Sequence, residues 1–256
     1  MIDLIVENDV AEVMLNIPEK LNALDEQALT ELLEAIDSAK AATPRALLLH
    51  GSGRAFCAGR DISKVDPATD DALGFLENAV GRVMRAIAEF PAPTFAAAHG
   101  ACLGVGLGLL IATDVVYVSE TAKFGSPFAN LGATLDSGGH ALFFERLGAH
   151  RALDLIYTGE LISGVQAVES GLFSRALPEI ELLPFTRERV AMAAKGATKA
   201  FMASKQLISK LRDERIGLWE SIAVENVTQE SLRETEDYKS GFLAFQEKRK
   251  PEFFGR

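Results

Sequence analysis

Ile2, Leu4 and Val6 fall at every second position, Asn8-Asp9 follows, and Val10 to Leu15 reads as a second strand. Two strand-like runs on either side of a short polar turn predict a β-hairpin. The period then lengthens. Ala28, Leu29, Leu32, Leu33 and Ile36 recur at three- and four-residue spacing behind Asp25, a suitable N-cap, so a helix is predicted there. Residues 46–50 form a short unbroken apolar run, the mark of a strand covered on both faces, and lead into Gly51-Ser52-Gly53. Residues 71–90 carry a second helical face (Leu73, Leu76, Val80, Val83, Met84, Ile87) that ends at Pro91-Ala92-Pro93. A strand over 94–98, a glycine loop over 100–106, a buried helix over 107–113 and a strand over 115–119 repeat the theme. Ser163 caps a helix closed by Gly171. From about Leu183 the pattern is almost wholly helical, with amphipathic stretches over 199–211, 217–230 and 236–248. Recurring strand–loop–helix order predicts an α/β core over 1–195, followed by a helical region over 196–256.

The 256 residues and 48% hydrophobic content suffice for one sizeable core. A net charge of −10 and a pI near 5.0, with no dense basic run before the C-terminal tail, argue against a nucleic-acid partner. They do not exclude an anionic ligand, because local donors outweigh net charge. Cys57 and Cys102 form no CxxC pair and no disulfide framework, which fits a reducing, cytoplasmic setting. The N-terminus has no signal-peptide pattern. The most apolar stretch, 100–112, is glycine-rich and too short for membrane insertion, which takes roughly 20 residues.

Two loops carry candidate chemistry. Ala55-Phe56-Cys57-Ala58-Gly59-Arg60-Asp61-Ile62 follows the buried strand, and Gly100-Ala101-Cys102-Leu103-Gly104-Val105-Gly106-Leu107-Gly108 comes about 45 residues later. Backbone amides at such turns point at an oxygen and stabilise negative charge, and small residues admit a ligand close to the main chain. Each loop read singly is equally an ordinary connection or a tight helix contact. Nucleotide motifs fit worse: residues 51–56 lack the third glycine of the dinucleotide fingerprint, and no GxxxxGK[ST] occurs. Asp136-Ser137-Gly138-Gly139 looks like a serine-protease nucleophile segment, but the chain is helix-rich and has neither disulfides nor a GxSxG elbow. His50, His99, His140 and His150 show no metal spacing. Asp136 has two readings from residues alone: a cap for a helix starting near Ser137, or a catalytic carboxylate.

Taken in order, both loops, Leu21-Asn22-Ala23-Leu24-Asp25, Ala122-Lys123-Phe124-Gly125, Leu161-Ile162-Ser163 and the late Lys248-Arg249-Lys250-Pro251-Glu252-Phe253 resemble the crotonase (enoyl-CoA hydratase/isomerase) superfamily almost end to end. The resemblance implies a spiral of repeated ββα units and a C-terminal helical region that builds trimers or dimers of trimers. It implies an acyl-CoA thioester as substrate, with coenzyme A entering as part of that substrate and no separate cofactor or metal. By position, the main-chain N–H groups of Arg60 and Val105 would form the oxyanion hole. Ala58, Arg60 and Ile62 would lie along coenzyme A, and Phe128, Leu131 and Gly108 would line the acyl pocket, with Phe124 nearby. The family's hydratases carry glutamates where Gly108 and Phe128 stand, and neither residue can act as acid or base. Asp136 falls where isomerase branches carry their acidic residue, including the ring isomerases of phenylacetyl-CoA breakdown, whose Asp-Ser/Cys-Gly-Gly segment is similar. The resemblance therefore implies an enoyl-CoA isomerase with Asp136 as its catalytic base. Two alternatives stay open: a hydratase-like lyase or thioester hydrolase using Asp136 with water, and a catalytically silent CoA binder.

Overall fold

The computed structural model of the protein describes residues 1–256. Asn8 and Asp9 adopt φ of 52° and 63°, the left-handed pair that a two-residue hairpin turn requires. β1 (Ile2–Glu7) therefore folds back antiparallel on β2 (Val10–Leu15), with Glu7 opposite Val10. Asp25 caps α1 (Glu26–Ala41) by accepting from the Ala28 N–H, and α1 leads to β3 (Ala46–Gly51). Residues 72–88 form one helical stretch, made of α2 (Ala72–Gly74), a π turn over Phe75–Val80 and α3 (Gly81–Ala88). It leads to β4 (Thr94–Ala98). β5 (Ala101–Leu103) and α4 (Val105–Ile111) then precede β6 (Val115–Ser119). β7 (Lys123–Gly125), a 3-10 turn over Phe128–Leu131, α5 (Gly139–Leu147), α6 (Ala149–Thr158), β8 (Ile162–Ser163) and α7 (Gly164–Glu169) lead to β9 (Arg175–Leu177). The chain ends in α8 (Glu179–Ala194), α9 (Thr198–Asp213), α10 (Leu218–Leu232) and α11 (Glu236–Gln246).

The main sheet has strand order β1-β2-β3-β4-β6-β9 and is parallel after the hairpin; β5, β7 and β8 make a small second sheet. β3 and β4 are buried at every position because helices cover both faces. Leu47 and Leu49 point into the large core with α1 and α3, while Ala46 and Leu48 meet Leu182, Val190 and Ala194 of α8 on the other side. Period-two geometry thus divides one apolar run between two packed layers. The predicted elements recur with shifted ends. The last helical region begins at Glu179 rather than Leu183, and Leu73, assigned to an apolar face, is 66% exposed. Ser163 does cap α7, in a full capping box with Gln166.

The last three helices behave differently. α9 buries no residue, α10 only Ser221, and α11 only Asp237 and Ala244. Polar tethers join the region to the body: the Arg45 guanidinium donates to Thr198 Oγ1 and to the Gly196 and Phe253 carbonyls, and Lys205 pairs with Asp114 at 3.0 Å. Between α9 and the body lies a cavity of about 870 Å³, lined in part by Leu110, Leu142, Glu145, Phe201 and Ile208. No helix is long and apolar enough to cross a membrane.

Candidate active site

Residue pairing brings the two glycine loops together. Cys57 and Cys102 face each other in a parallel bridge, with Cys57 N–H donating to Ala101 O and Leu103 N–H to Cys57 O. Three residues beyond each cysteine stand Arg60 and Val105, so the register itself sets them side by side. The approach is close: a Cβ on Gly59 would lie 3.0 Å from Leu103 O and 3.9 Å from Val105 N. Gly59 at φ +106° and Gly104 at φ +50° take backbone conformations that side chains resist. The Arg60 and Val105 N–H groups donate to no acceptor within the chain. For Val105 the cause is its place as first residue of α4, where no preceding turn supplies a carbonyl. Arg60 N–H is left over because its neighbours make the bonds of the bridge to Leu24: Leu24 N–H donates to Gly59 O, and Asp61 N–H to Leu24 O.

Asn22 holds this loop from behind. It is fully buried, donates from Nδ2 to the Ser52 and Ala55 carbonyls, and accepts at Oδ1 from the Ile17 N–H. The Leu21–Asp25 stretch was visible in the sequence only as part of a pattern; the structure shows Asn22 in the left-handed region (φ 55°), a conformation asparagine tolerates. Ala58 is half-buried, with its N–H bonded to Leu21 O, and Ile62 is 52% exposed.

The third component comes from the turn before α5. That helix starts at Gly139 behind Gly138, and no side chain caps it. The capping reading of Asp136 therefore fails, and its carboxylate is available for something else. Ser137 (φ 51°) and Gly138 (φ 82°) turn the chain against the first turn of α4. A Cβ on Gly108 would lie 2.5 Å from Ser137 Cβ and 3.2 Å from Met84 Sδ, so nothing larger than glycine fits there. Asp136 Oδ1 and Ser137 Oγ are both buried without a hydrogen-bond partner. Burial pushes the Asp136 carboxyl above the ordinary aspartate range, while the neighbouring Ser137 hydroxyl and the Arg60 charge pull in the opposite direction. An unpartnered buried oxygen costs free energy unless something arrives to bond it, which is a property of binding sites.

Phe128 is half-buried with its ring against Gly104, 3.2 Å from where a Cβ would be, and so flanks the Val105 N–H with apolar surface. The other expected wall residues lie elsewhere. Phe124 is fully buried in the main core against Phe173, at 4.9 Å between centroids, and Leu131 is 62% exposed on the 3-10 turn. Alternation along β7 explains Phe124: its side chain points inward from the small sheet. Glu145 lies on α5 and lines the separate cavity under α9. Three contributors were not expected at the site from the sequence. Met84 reaches the site from α3, and Asp70 and Phe75 both contact the Arg60 guanidinium. No group of three or more His, Cys, Asp or Glu side chains could hold a metal ion.

An unpaired main-chain donor can hold an oxygen that gains negative charge, and a half-buried carboxylate can move a proton. The enoyl-CoA hydratase/isomerase family model matches residues 6–256, and the chain belongs to that family, the crotonase superfamily. It is 30% identical over 256 residues to the trans-2-decenoyl-(acyl-carrier-protein) isomerase of Streptococcus mutans serotype c, across 98% of this chain and 97% of that protein. Enoyl-CoA hydratase subunit I of Geobacillus kaustophilus superposes with a TM-score of 0.90 at 31% identity, over 100% of this chain and 98% of the other. The enoyl-CoA hydratase of Bacillus anthracis gives 0.89 at 29% identity, over 100% and 99%. The fold is the α/β crotonase fold, with two sheets and C-terminal helices.

Proposed function

We propose that the protein is an enoyl-CoA isomerase that shifts a double bond by a single-base mechanism. The observation that carries this reading is the filled space at Gly108: Ser137 and Met84 occupy the volume a second carboxylate would need, and Asp136 alone offers an acid–base group there. The thioester oxygen of a 3-enoyl-CoA accepts from the Arg60 and Val105 N–H groups. Asp136 takes a proton from C2, the electron pair moves to the thioester oxygen, and the C3–C4 double bond becomes part of a dienolate. Protonated Asp136 then returns the proton at C4, leaving a conjugated 2-enoyl-CoA. One oxyanion donor contributes about 3–4 kcal/mol to such a transition state. The raised carboxyl suits both taking and returning the proton. Phe128, beside Gly104, keeps water from the dienolate. Ala58 and Ile62 would run along coenzyme A, and the likeness of the Asp-Ser-Gly-Gly segment to that of the isomerase branches, including ring isomerases of aromatic acyl-CoA, supports the reading. Residues 1–195 would carry the site. The region 196–256, with its exposed apolar side chains, would build a homo-oligomer, a trimer or a dimer of trimers, in the cytoplasm.

The second reading is hydration, favoured by the names of the Geobacillus kaustophilus and Bacillus anthracis proteins. Hydration needs a water held and deprotonated at C3 while C2 is protonated, for which one carboxylate is a poor substitute for two. The deciding experiment incubates the protein and its Asp136→Asn variant with a 3-enoyl-CoA in deuterated water, followed by mass spectrometry and ultraviolet absorbance. Expected are a conjugated product that carries little solvent deuterium, because Asp136 returns the proton it took, and a loss of roughly 10²–10⁴-fold in the variant. The wild-type rate should rise with pH through a midpoint above the ordinary aspartate value of 3.8, because the base must be ionised. A product heavier by one water would establish hydration instead.

A further inference from the structure

Every hydrogen bond made by residues 62–71 is local, within that loop or to the turns that flank it, except those of Asp70. Asp70 instead takes both arms of the Arg60 guanidinium, Nη1 to Oδ2 at 2.9 Å and Nη2 to Oδ1 at 2.7 Å. The guanidinium carbon sits 4.0 Å from the centroid of Phe75, which is only 3% exposed and opens the π turn. A guanidinium fixed by a parallel two-bond fork on one side and an aromatic face on another has little freedom left. π turns inside helices frequently mark functional positions. The same residue supplies one of the two unpaired N–H groups, and its charge is felt at Asp136. Loop, oxyanion strand and helix therefore meet at one side chain.

We propose that Asp70 is a positioning residue: its pair with Arg60 latches the loop over 62–71 to the oxyanion strand and holds the Arg60 N–H in line for the thioester oxygen. This rests on the isomerase reading above. Misplacement of a catalytic group by about 1 Å costs up to 10²-fold in rate. The test uses the full-length protein and its Asp70→Asn, Asp70→Glu and Arg60→Met variants, with the Asn/Met double variant. Asp70→Asn is expected to lower kcat for 3-enoyl-CoA isomerisation about tenfold while KM changes less than threefold and the melting temperature holds. Asp70→Glu should recover most of the loss, and the double variant should be no slower than Arg60→Met alone. An unchanged kcat in Asp70→Asn overturns the proposal, as does a loss that Asp70→Glu does not relieve. If wild type turns over no 3-enoyl-CoA, the isomerase reading fails, and hydrogen exchange with octanoyl-CoA calorimetry decides the latch separately. Faster exchange at 62–71 and weaker binding in Asp70→Asn sustain it; identical behaviour to wild type overturns it.

Discussion

Gly108 shows how a single missing side chain constrains the chemistry. Its Cα faces Ser137 so closely that even a methyl group would meet Ser137 Cβ at 2.5 Å and Ser137 O at 3.1 Å. Restoring a family-type glutamate there is therefore a packing problem before it is a catalytic one. Gly108→Ala is expected to cost about 1–3 kcal/mol, the usual range for an overpacked core, measured by chemical denaturation. Gly108→Glu should cost more and gain no hydration of crotonyl-CoA. A well-folded Gly108→Glu protein that hydrates crotonyl-CoA would show that the turn at Asp136 moves aside freely. Ser137 is part of the same constraint, because its left-handed backbone lies in the turn that packs on Gly108.

Among the elements, α8 adds a polar contact to the apolar packing that holds it on the main sheet. Arg187 of α8 donates from Nε and Nη2 to Glu12 of β2, and Glu12 Oε1 also lies 2.8 Å from His50 Nε2 of β3. The His50 hydrogen bond, followed by that of Arg187, holds the Glu12 carboxyl down to about 2 against an ordinary 4.5, although its partial burial acts the other way. A carboxyl depressed in the folded state stabilises the fold fully above its unfolded value of 4.5, and that stability is lost as pH falls toward 2. Glu12→Gln is therefore expected to lower stability by about 1–3 kcal/mol near pH 6, the range for hydrogen bonds to charged groups. The difference from wild type should close as the pH of the thermal melts is lowered from 4.5 to 2; a gap that stays constant would mean the carboxylate's charge contributes nothing.

At the scale of the whole molecule, α10 and α11 leave Leu218, Trp219, Val227, Phe242, Leu243 and Phe245 between 50% and 86% exposed. A buried aromatic side chain removes 150–250 Å² from water, so this much exposed apolar surface favours a second copy of the chain as its cover. Light scattering of the wild-type protein should give a multiple of 27.6 kDa. Trp219→Glu combined with Phe245→Glu should shift the mass toward one chain at micromolar concentration. A wild-type mass of one chain would remove the assembly from the proposal without touching the site.

Local patterning settled a large part of this protein. The hairpin turn at Asn8-Asp9, the Asp25 and Ser163 caps, the buried strands and the order of helices are written in spacing, because each depends on neighbours within a few residues. The two glycine loops were legible as candidates for the same reason: a turn needs small residues wherever it goes. The sequence could not show that Cys57 pairs with Cys102, that Phe124 turns into the core, or that Leu73 faces out, since these follow from register and layer packing between segments far apart. Nor could it choose between cap and free carboxylate for Asp136, because that depends on where α5 starts and what stands opposite α4. The Arg60, Asp70 and Phe75 contact was hidden for a related reason: a charged side chain on a loop has no periodicity, and only the folded chain decides which partner it meets.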